Sequence, residues 1–229
     1  MEKKSPEPPE EASQSRDSSR DNQTWITAQN ILREKLITED CFAWKLQAGS
    51  KEEEALRYVG GVDISFSKDD PSRACGTLVV LDFHTLQVLY QDFSLVTLQV
   101  PYVPGFLAFR EAPVLLQLLE KMKRSNNPFY PQLLMVDGNG ILHPRGFGLA
   151  CHIGVEANLP TIGIGKNAMR STQGSIKPIF ISIGHKISLQ TAIMIVQMTC
   201  KYRVPEPIRQ ADIRSRDYIR KLEANAKVK

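Results

Sequence analysis

The chain has 229 residues, 42% hydrophobic and 24% charged, with a net charge of +4. That composition supports one packed domain, with or without a tail, and the charge is too mild to mark a nucleic-acid binder by itself. Cys41, Cys75, Cys151 and Cys200 form no C-x-x-C pair, no apolar signal segment opens the chain, and the apolar stretch 187–200 is interrupted by Gln190 and Gln197, so the sequence reads as a protein with reduced cytosolic thiols, no signal peptide and no membrane span.

Residues 1–22 are polar and rich in Glu, Ser and Pro, the composition of a disordered tail. Trp25, Ile26, Ile31, Leu32 and Leu36 recur at helical spacing and predict a helix over 24–37 packed on the domain. Strands are predicted over 58–66, 74–83 and 86–93, joined by short connections into an antiparallel meander. Asp63 lies inside the first, between Val62 and Ile64. A carboxylate there must be paired, coordinated or neutralised; a metal ligand and a hydrogen-bonded structural Asp are equal readings of it.

Pro101 and Pro104 stiffen the segment that carries Tyr102. A rigid aromatic suits stacking on a nucleobase or wedging between bases, although the residues alone favour a Pro-rich turn whose Tyr packs on the surface. A helix begins over 105–110, breaks at Pro113 and restarts toward Lys123. Glu111 sits at that break, either solvated or turned inward toward the aspartates.

The apolar run Leu133–Val136 reads as a buried strand that stops at Asp137. Gly138 and Gly140 allow a sharp turn, Pro144 can open a helix, and a helix is predicted over 146–157. A strand over 161–164 follows and leads to Lys166. Ligands of open α/β sheets sit where strands end in such turns, so Asp137 and Lys166 are expected at one edge, although a turn Asp without function is the plain alternative.

No Asp or Glu occurs between Glu156 and Glu206, while Lys166, Arg170, Lys177, Lys186, Lys201 and Arg203 do. That one-sign interval suits a polyanion or is a solvated basic face. Within and after it come a strand over 178–183, a helix capped by Ser188 and running to about 199, and a basic helix over 208–221 carrying Asp212. Gly163-Ile-Gly165-Lys-Asn-Ala168 lacks the acid that a dinucleotide site needs about 20 residues on, and Gly165-Lys166 lacks the rest of a P-loop.

Asp63, Glu111, Asp137 and Lys166 thus gather around one sheet edge. Hard oxygen ligands with open positions suit Mg²⁺, which keeps waters and takes substrate phosphate. Lys166 can hold a phosphate oxygen or assist the water, and His185 can orient or move a proton. Metal-assisted phosphodiester cleavage fits these residue types best.

Several stretches resemble the endonuclease V family in its vertebrate form: Val59–Ser65, Pro101–Glu111, Val136–Gly140, His143–Gly146, Ile181–His185 and Arg203–Asp212. They span 23–221 in the family's order. The resemblance implies one catalytic domain over 23–221, between the tail over 1–22 and a basic tail over 222–229. It implies an RNase H-like α/β fold, a mixed central sheet flanked by helices. It implies cleavage of inosine-containing RNA, with deoxyinosine-containing DNA as the further substrate, at the second phosphodiester on the 3′ side, with Mg²⁺ or Mn²⁺.

By match, Asp63 and Asp137 are metal ligands, Glu111 a further acid, Lys166 the catalytic lysine, and His185 a residue near the metal. Tyr102 is a base-separating wedge. Backbone around Gly105, Leu107, Gly138 and Gly140 lines the base pocket, and His143 lies close to the site. Asp212 matches a C-terminal Asp. The resemblance further implies a monomer of the cytoplasm and the nucleus, nucleolus included. One departure is large: only 167–177 separates Lys166 from the Pro-Ile-Phe-Ile-Ser strand, where the family has a longer stretch. The shortening predicts a poorly supported Lys166, an edge strand over 178–183, and weak cleavage or binding alone. A nuclease of the same fold for branched or mismatched DNA is the remaining alternative.

Overall fold

A computed structural model of the chain describes residues 23–46, 55–100, 103–166 and 178–227. Among these, a helix over 23–33, α1, precedes β1 (Tyr58–Phe66), β2 (Arg73–Asp82), β3 (Val88–Thr97), α2 (Leu107–Arg124), β4 (Leu133–Asp137), α3 (Leu149–Ala157), β5 (Thr161–Gly165), β6 (Phe180–His185), α4 (Leu189–Thr199) and α5 (Glu206–Lys227). The predicted tail over 1–22 and the segment over 167–177 lie outside the described residues.

The strands form one sheet in the order β3-β2-β1-β4-β5-β6. The β1–β2–β3 meander is antiparallel, β1, β4 and β5 run parallel, and β6 returns antiparallel to β5. This is the RNase H-like mixed sheet flanked by helices that the sequence predicts. β4 reads as a continuous apolar run because both its faces are covered. Leu134 and Val136 join the core under α2 and α3, with Leu115, Leu119 and Ile153. Leu133 and Met135 face the other way, into the core with Ile195 and Ile208 of α4 and α5. Alternate residues of one strand thus serve two cores, the period of two of a pleated strand.

Helix α5 lies against β1 because β1 has no side chain at Gly61. A Cβ there would stand 2.1 Å from the Pro207 carbonyl oxygen. That close approach brings the middle of α5, with Asp212 and Ser215, over Asp63.

Four boundaries differ from the sequence reading. Helix α1 ends at 33 rather than 37, because the Ile37 backbone bonds to the end of β6 instead: its N–H donates to His185 Nδ1 (3.2 Å), and its carbonyl accepts from Lys186 N (2.7 Å). Helix α2 passes unbroken through Pro113. The proline is exposed, and the buried face of Ala108, Ala112, Leu115, Leu119 and Met122 holds the helix on the sheet, outweighing the ~3 kcal/mol that an interior proline costs. Pro144 opens no helix: it is the second residue of a turn in which Gly146 N donates to His143 O at 2.7 Å, and α3 starts at Leu149. Helix α5 starts at Glu206, whose carboxylate takes two hydrogen bonds from Arg209 (2.7 and 2.9 Å), and it runs to Lys227.

Candidate active site

Asp63 and Asp137 occupy neighbouring central strands. Val62 pairs with Val136 across the parallel β1–β4 ladder, so each aspartate follows a paired residue. Asp63 is 6% exposed. Ser215 Oγ of α5 donates to its Oδ2 at 3.1 Å, and Ser65 Oγ stands at 3.4 Å. Burial pushes the Asp63 carboxyl up to about 7; a hydrogen bond with Asp137 and the charges of Asp137 and Asp212 add to this, while Lys166 pulls the other way. Two carboxylates this close hold one proton between them, or a cation in its place.

Lys166 leaves β5 immediately beyond Gly165, and its Nζ lies 2.5 Å from Asp137 Oδ2. The expected meeting of acid and base at one edge is therefore present. Glu111 is buried in α2, turned inward. Burial raises its carboxyl to about 7; the Arg110 guanidinium opposes this and the charge of Asp137 adds to it.

Asp63, Asp137 and Lys166 open into a cleft of about 1010 Å³, which Glu111 does not line. Asp63, Asp137, Lys166 and Asp212 line it, as do Gly105, Leu107, Gly138 and His143. Asp212 thus joins the site, paired with Arg216 at 2.7 Å. Burial, helped by Arg145, lowers the His143 pKa, and its Nδ1 accepts from Arg145 N (3.2 Å), which leaves a neutral ring at the cleft wall. Tyr102 lies outside the described residues.

Besides Glu111, buried beside the cleft and not in its lining, two further predicted site residues fall elsewhere. Gly140 does not line the cleft. It is pressed against β6, where its N–H donates to Ser182 Oγ at 3.1 Å and a Cβ would stand 1.9 Å from the Ile183 carbonyl oxygen. Its glycine serves packing of the turn. His185 pairs with Thr161, at the start of β5, whereas Asp137 pairs with Ile164 near the end. It therefore sits at the opposite edge of the sheet. Burial there, with Lys186 beside it, lowers its pKa to about 4, and it stays neutral to accept the Ile37 N–H. An antiparallel return strand carries its last residue away from the edge where its parallel neighbours end, and motif reading alone does not show that direction.

Of the cations in the acid-free interval, Lys186 is held through its backbone at the far edge by Ile37 and Cys41, away from Lys166, while Arg170 and Lys177 lie outside the described residues. The cations lining the cleft besides Lys166 are Lys68, Arg216 and Arg220. Asn139, Phe147 and Ser215 escaped notice as well, the last because a small polar residue on a basic helix gives no sequence signal until the helix is placed on β1.

Among the described residues, no group of three or more His, Cys, Asp or Glu side chains is gathered as a metal site. The pair Asp63–Asp137 offers hard oxygens at the floor of an open cleft, held together against their own repulsion. That fits an ion of the Mg²⁺ type, which is held by one or two carboxylates and otherwise by water and phosphate.

Residues 40–173 and 167–213 match the family model for Endonuclease V. Endonuclease V of Mus musculus is 40% identical over 236 aligned positions, covering 86% of this chain and 69% of the mouse protein. The Homo sapiens protein is 39% identical, covering 86% and 83%. Both alignments span 236 positions, more than the 229 residues of this chain, so these relatives carry residues without counterpart here. The two matched segments of the family model meet just after Lys166. Among solved structures, the catalytic domain of human Endonuclease V superposes with a TM-score of 0.81 at 36% identity, covering 95% of this chain and 99% of that one. Ciona intestinalis Endonuclease V, in complex with a 24mer DNA containing an inosine followed by a ribo-adenosine, gives 0.77 at 31% identity, covering 89% and 99%.

Proposed function

The chain belongs to the endonuclease V family, and on that premise we propose that it is a metal-dependent endonuclease that cuts inosine-containing RNA, with deoxyinosine-containing DNA as a further substrate, at the second phosphodiester 3′ to the inosine. The observation that carries this reading is the Lys166–Asp137 pair, 2.5 Å apart, beside the buried carboxyl of Asp63. The inosine strand bound by the Ciona relative is the substrate class taken over.

Asp63 and Asp137 would hold the cation, Mg²⁺ or Mn²⁺, which when bound would supply water activation and charge neutralisation at the phosphorus. Lys166 exchanges Asp137 for a nonbridging phosphate oxygen. Glu111, buried in α2 within the field of Asp137, would add negative charge favouring a cation once its raised carboxyl ionises. Asp212, on the α5 side, would add a carboxylate to the cation's surroundings, and its partner Arg216 would offer a positive charge to the phosphate chain. Gly105, Leu107 and Gly138 form the walls against which the base lies, with His143 as a neutral hydrogen-bonding group beside them. Tyr102 is the wedge that parts neighbouring bases. His185 has a structural role only. The protein works as a monomer on single-stranded or partly structured strands, in the cytoplasm and the nucleus, nucleolus included; among the described residues no helix is long and apolar enough to cross a membrane.

The test is a set of RNA and DNA strands matched around one inosine or one adenosine, plus a branched DNA, incubated with Mg²⁺ or EDTA and mapped at nucleotide resolution. The expected result is one metal-dependent cut, two phosphodiesters 3′ to inosine, faster in RNA. Binding of inosine strands without a cut establishes the binding-only reading, and cutting of the branched DNA without regard to inosine establishes a structure-specific nuclease.

A further inference from the structure

The cleft wall that carries Gly138, His143 and Phe147 is a loop between β4 and α3, and its support comes from the other end of the chain. Gln29 of α1 is 2% exposed. Its Oε1 accepts from Arg145 Nε at 2.5 Å, and its Nε2 donates to the Phe147 carbonyl at 2.8 Å. Arg33, one turn on, donates to the Arg145 carbonyl at 3.4 Å. An amide is the side chain for this place: it gives one acceptor to a group that only donates and one donor to a group that only accepts, and a buried polar end left unpaired is penalised.

The same helix reaches the opposite wall. The Arg145 guanidinium lies over the Phe106 ring, 5.2 Å from its centroid, and Phe106 stands between Gly105 and Leu107. Trp25, one turn before Gln29, packs on Phe106 at 5.7 Å and stacks on Phe109 at 5.7 Å. Helix α1 therefore braces both walls of the cleft, although it precedes the first residue that matches the family model.

We propose that Gln29 is a positioning residue for base selection: through Arg145 and Phe147 it fixes the loop against the Phe106 wall, and so sets the fit of the base. The inference rests on the reading of the cleft as an inosine site. Gln29 touches neither the base nor the groups that hold the cation, so its loss loosens recognition and leaves the cutting step.

Two variants test it. Gln29→Met keeps the length and removes both hydrogen bonds; Gln29→Glu keeps the acceptor for Arg145 and loses the donor to Phe147. Dissociation constants for RNA strands matched around inosine or adenosine, the single-turnover rate at saturating inosine strand, and melting temperature are measured on the full chain. Gln29→Met is expected to lower the inosine-over-adenosine preference roughly tenfold, in keeping with the ~100-fold that a 1 Å misplacement can cost, with the saturating rate nearly unchanged. Gln29→Glu is expected to recover part of the preference, and it carries the test alone should the Met variant not fold. An unchanged preference in either folded variant overturns the proposal. So does a preference that falls only in step with rate and melting temperature, the mark of a merely structural residue. A wild-type chain that shows no inosine preference at all overturns the function reading and this inference with it, a result distinct from loss of preference in the variants alone.

Discussion

Lys166 Nζ lies 2.5 Å from Asp137 Oδ2 across two parallel strands that end at the same edge of the sheet. Each side chain is 22% exposed, so the pair is partly screened by water and contributes little to stability, at most about 1 kcal/mol. Its value lies in placing an ammonium beside the carboxylates. Lys166→Met should therefore melt within a few degrees of the wild type, yet cut an inosine strand slower by about 10²–10³-fold, the range for one preorganised charge at a reacting oxygen. Single-turnover rates beside thermal melts check this; a rate within tenfold of wild type would leave the lysine outside the reaction.

Asp63 sets the pH dependence. Its folded pKa, about 7, stands above the ordinary carboxyl value of 3.8. Below pH 7 the folded protein holds a proton that a cation must displace, so metal binding releases protons and the cutting rate rises as pH climbs through about 7. Without metal the sign for stability is opposite to the usual carboxylate case. The contribution is fully present below about pH 4 and is lost as pH rises through 7. Metal-free melting temperatures at pH 5 and pH 8 should show this decline, and Asp63→Asn should make it shallower, the remainder coming from Glu111, also raised to about 7. Equal slopes in the two proteins would contradict the assignment.

His185 behaves in the reverse sense. Its pKa is lowered to about 4 from 6.5, so its stability contribution is present above pH 6.5 and is lost as pH falls toward 4. His185→Asn, which can still accept from the Ile37 N–H, should reduce the acid sensitivity of the fold and leave the rate at pH 8 nearly unchanged. A large loss of rate in a well-folded variant would return His185 to the reaction.

Gly61→Ala should be among the most damaging small substitutions on β1. The added carbon would meet the Pro207 backbone oxygen at 2.1 Å, and a backbone atom at a helix start cannot swing aside. Overpacking of this kind costs about 1–3 kcal/mol or more. Urea titration is the check, and α5 should detach first, seen as lost protection of the Ser215 and Asp63 region in hydrogen exchange.

The sequence announced the sheet well because its strands carry period-two or continuous apolar patterns, and β1 was placed to the residue. Asp63, Asp137 and Lys166 were legible for a related reason: each interrupts or ends such a run. Glu111 was ambiguous because Pro113 suggested a break that tertiary packing on α2 overrides. Gly140 and His185 were misplaced because a motif names residues without giving strand direction, and the antiparallel return of β6 is a property of the whole sheet. Gln29 and Ser215 were invisible because each acts on residues more than a hundred positions away, 116 for Gln29 on Arg145 and 152 for Ser215 on Asp63.

The most direct measurement is the single-turnover cutting of an inosine RNA by Asp137→Asn, beside its dissociation constant for the same strand, at saturating Mg²⁺. Asn keeps the shape of the side chain and removes the charge that pairs with Lys166 and that we propose holds the cation. The account predicts binding within a few-fold of wild type and cutting slower by more than the ~10–100-fold expected when only a supporting group is lost. Cutting at the wild-type rate would contradict the claim that this carboxylate pair is where the strand is broken.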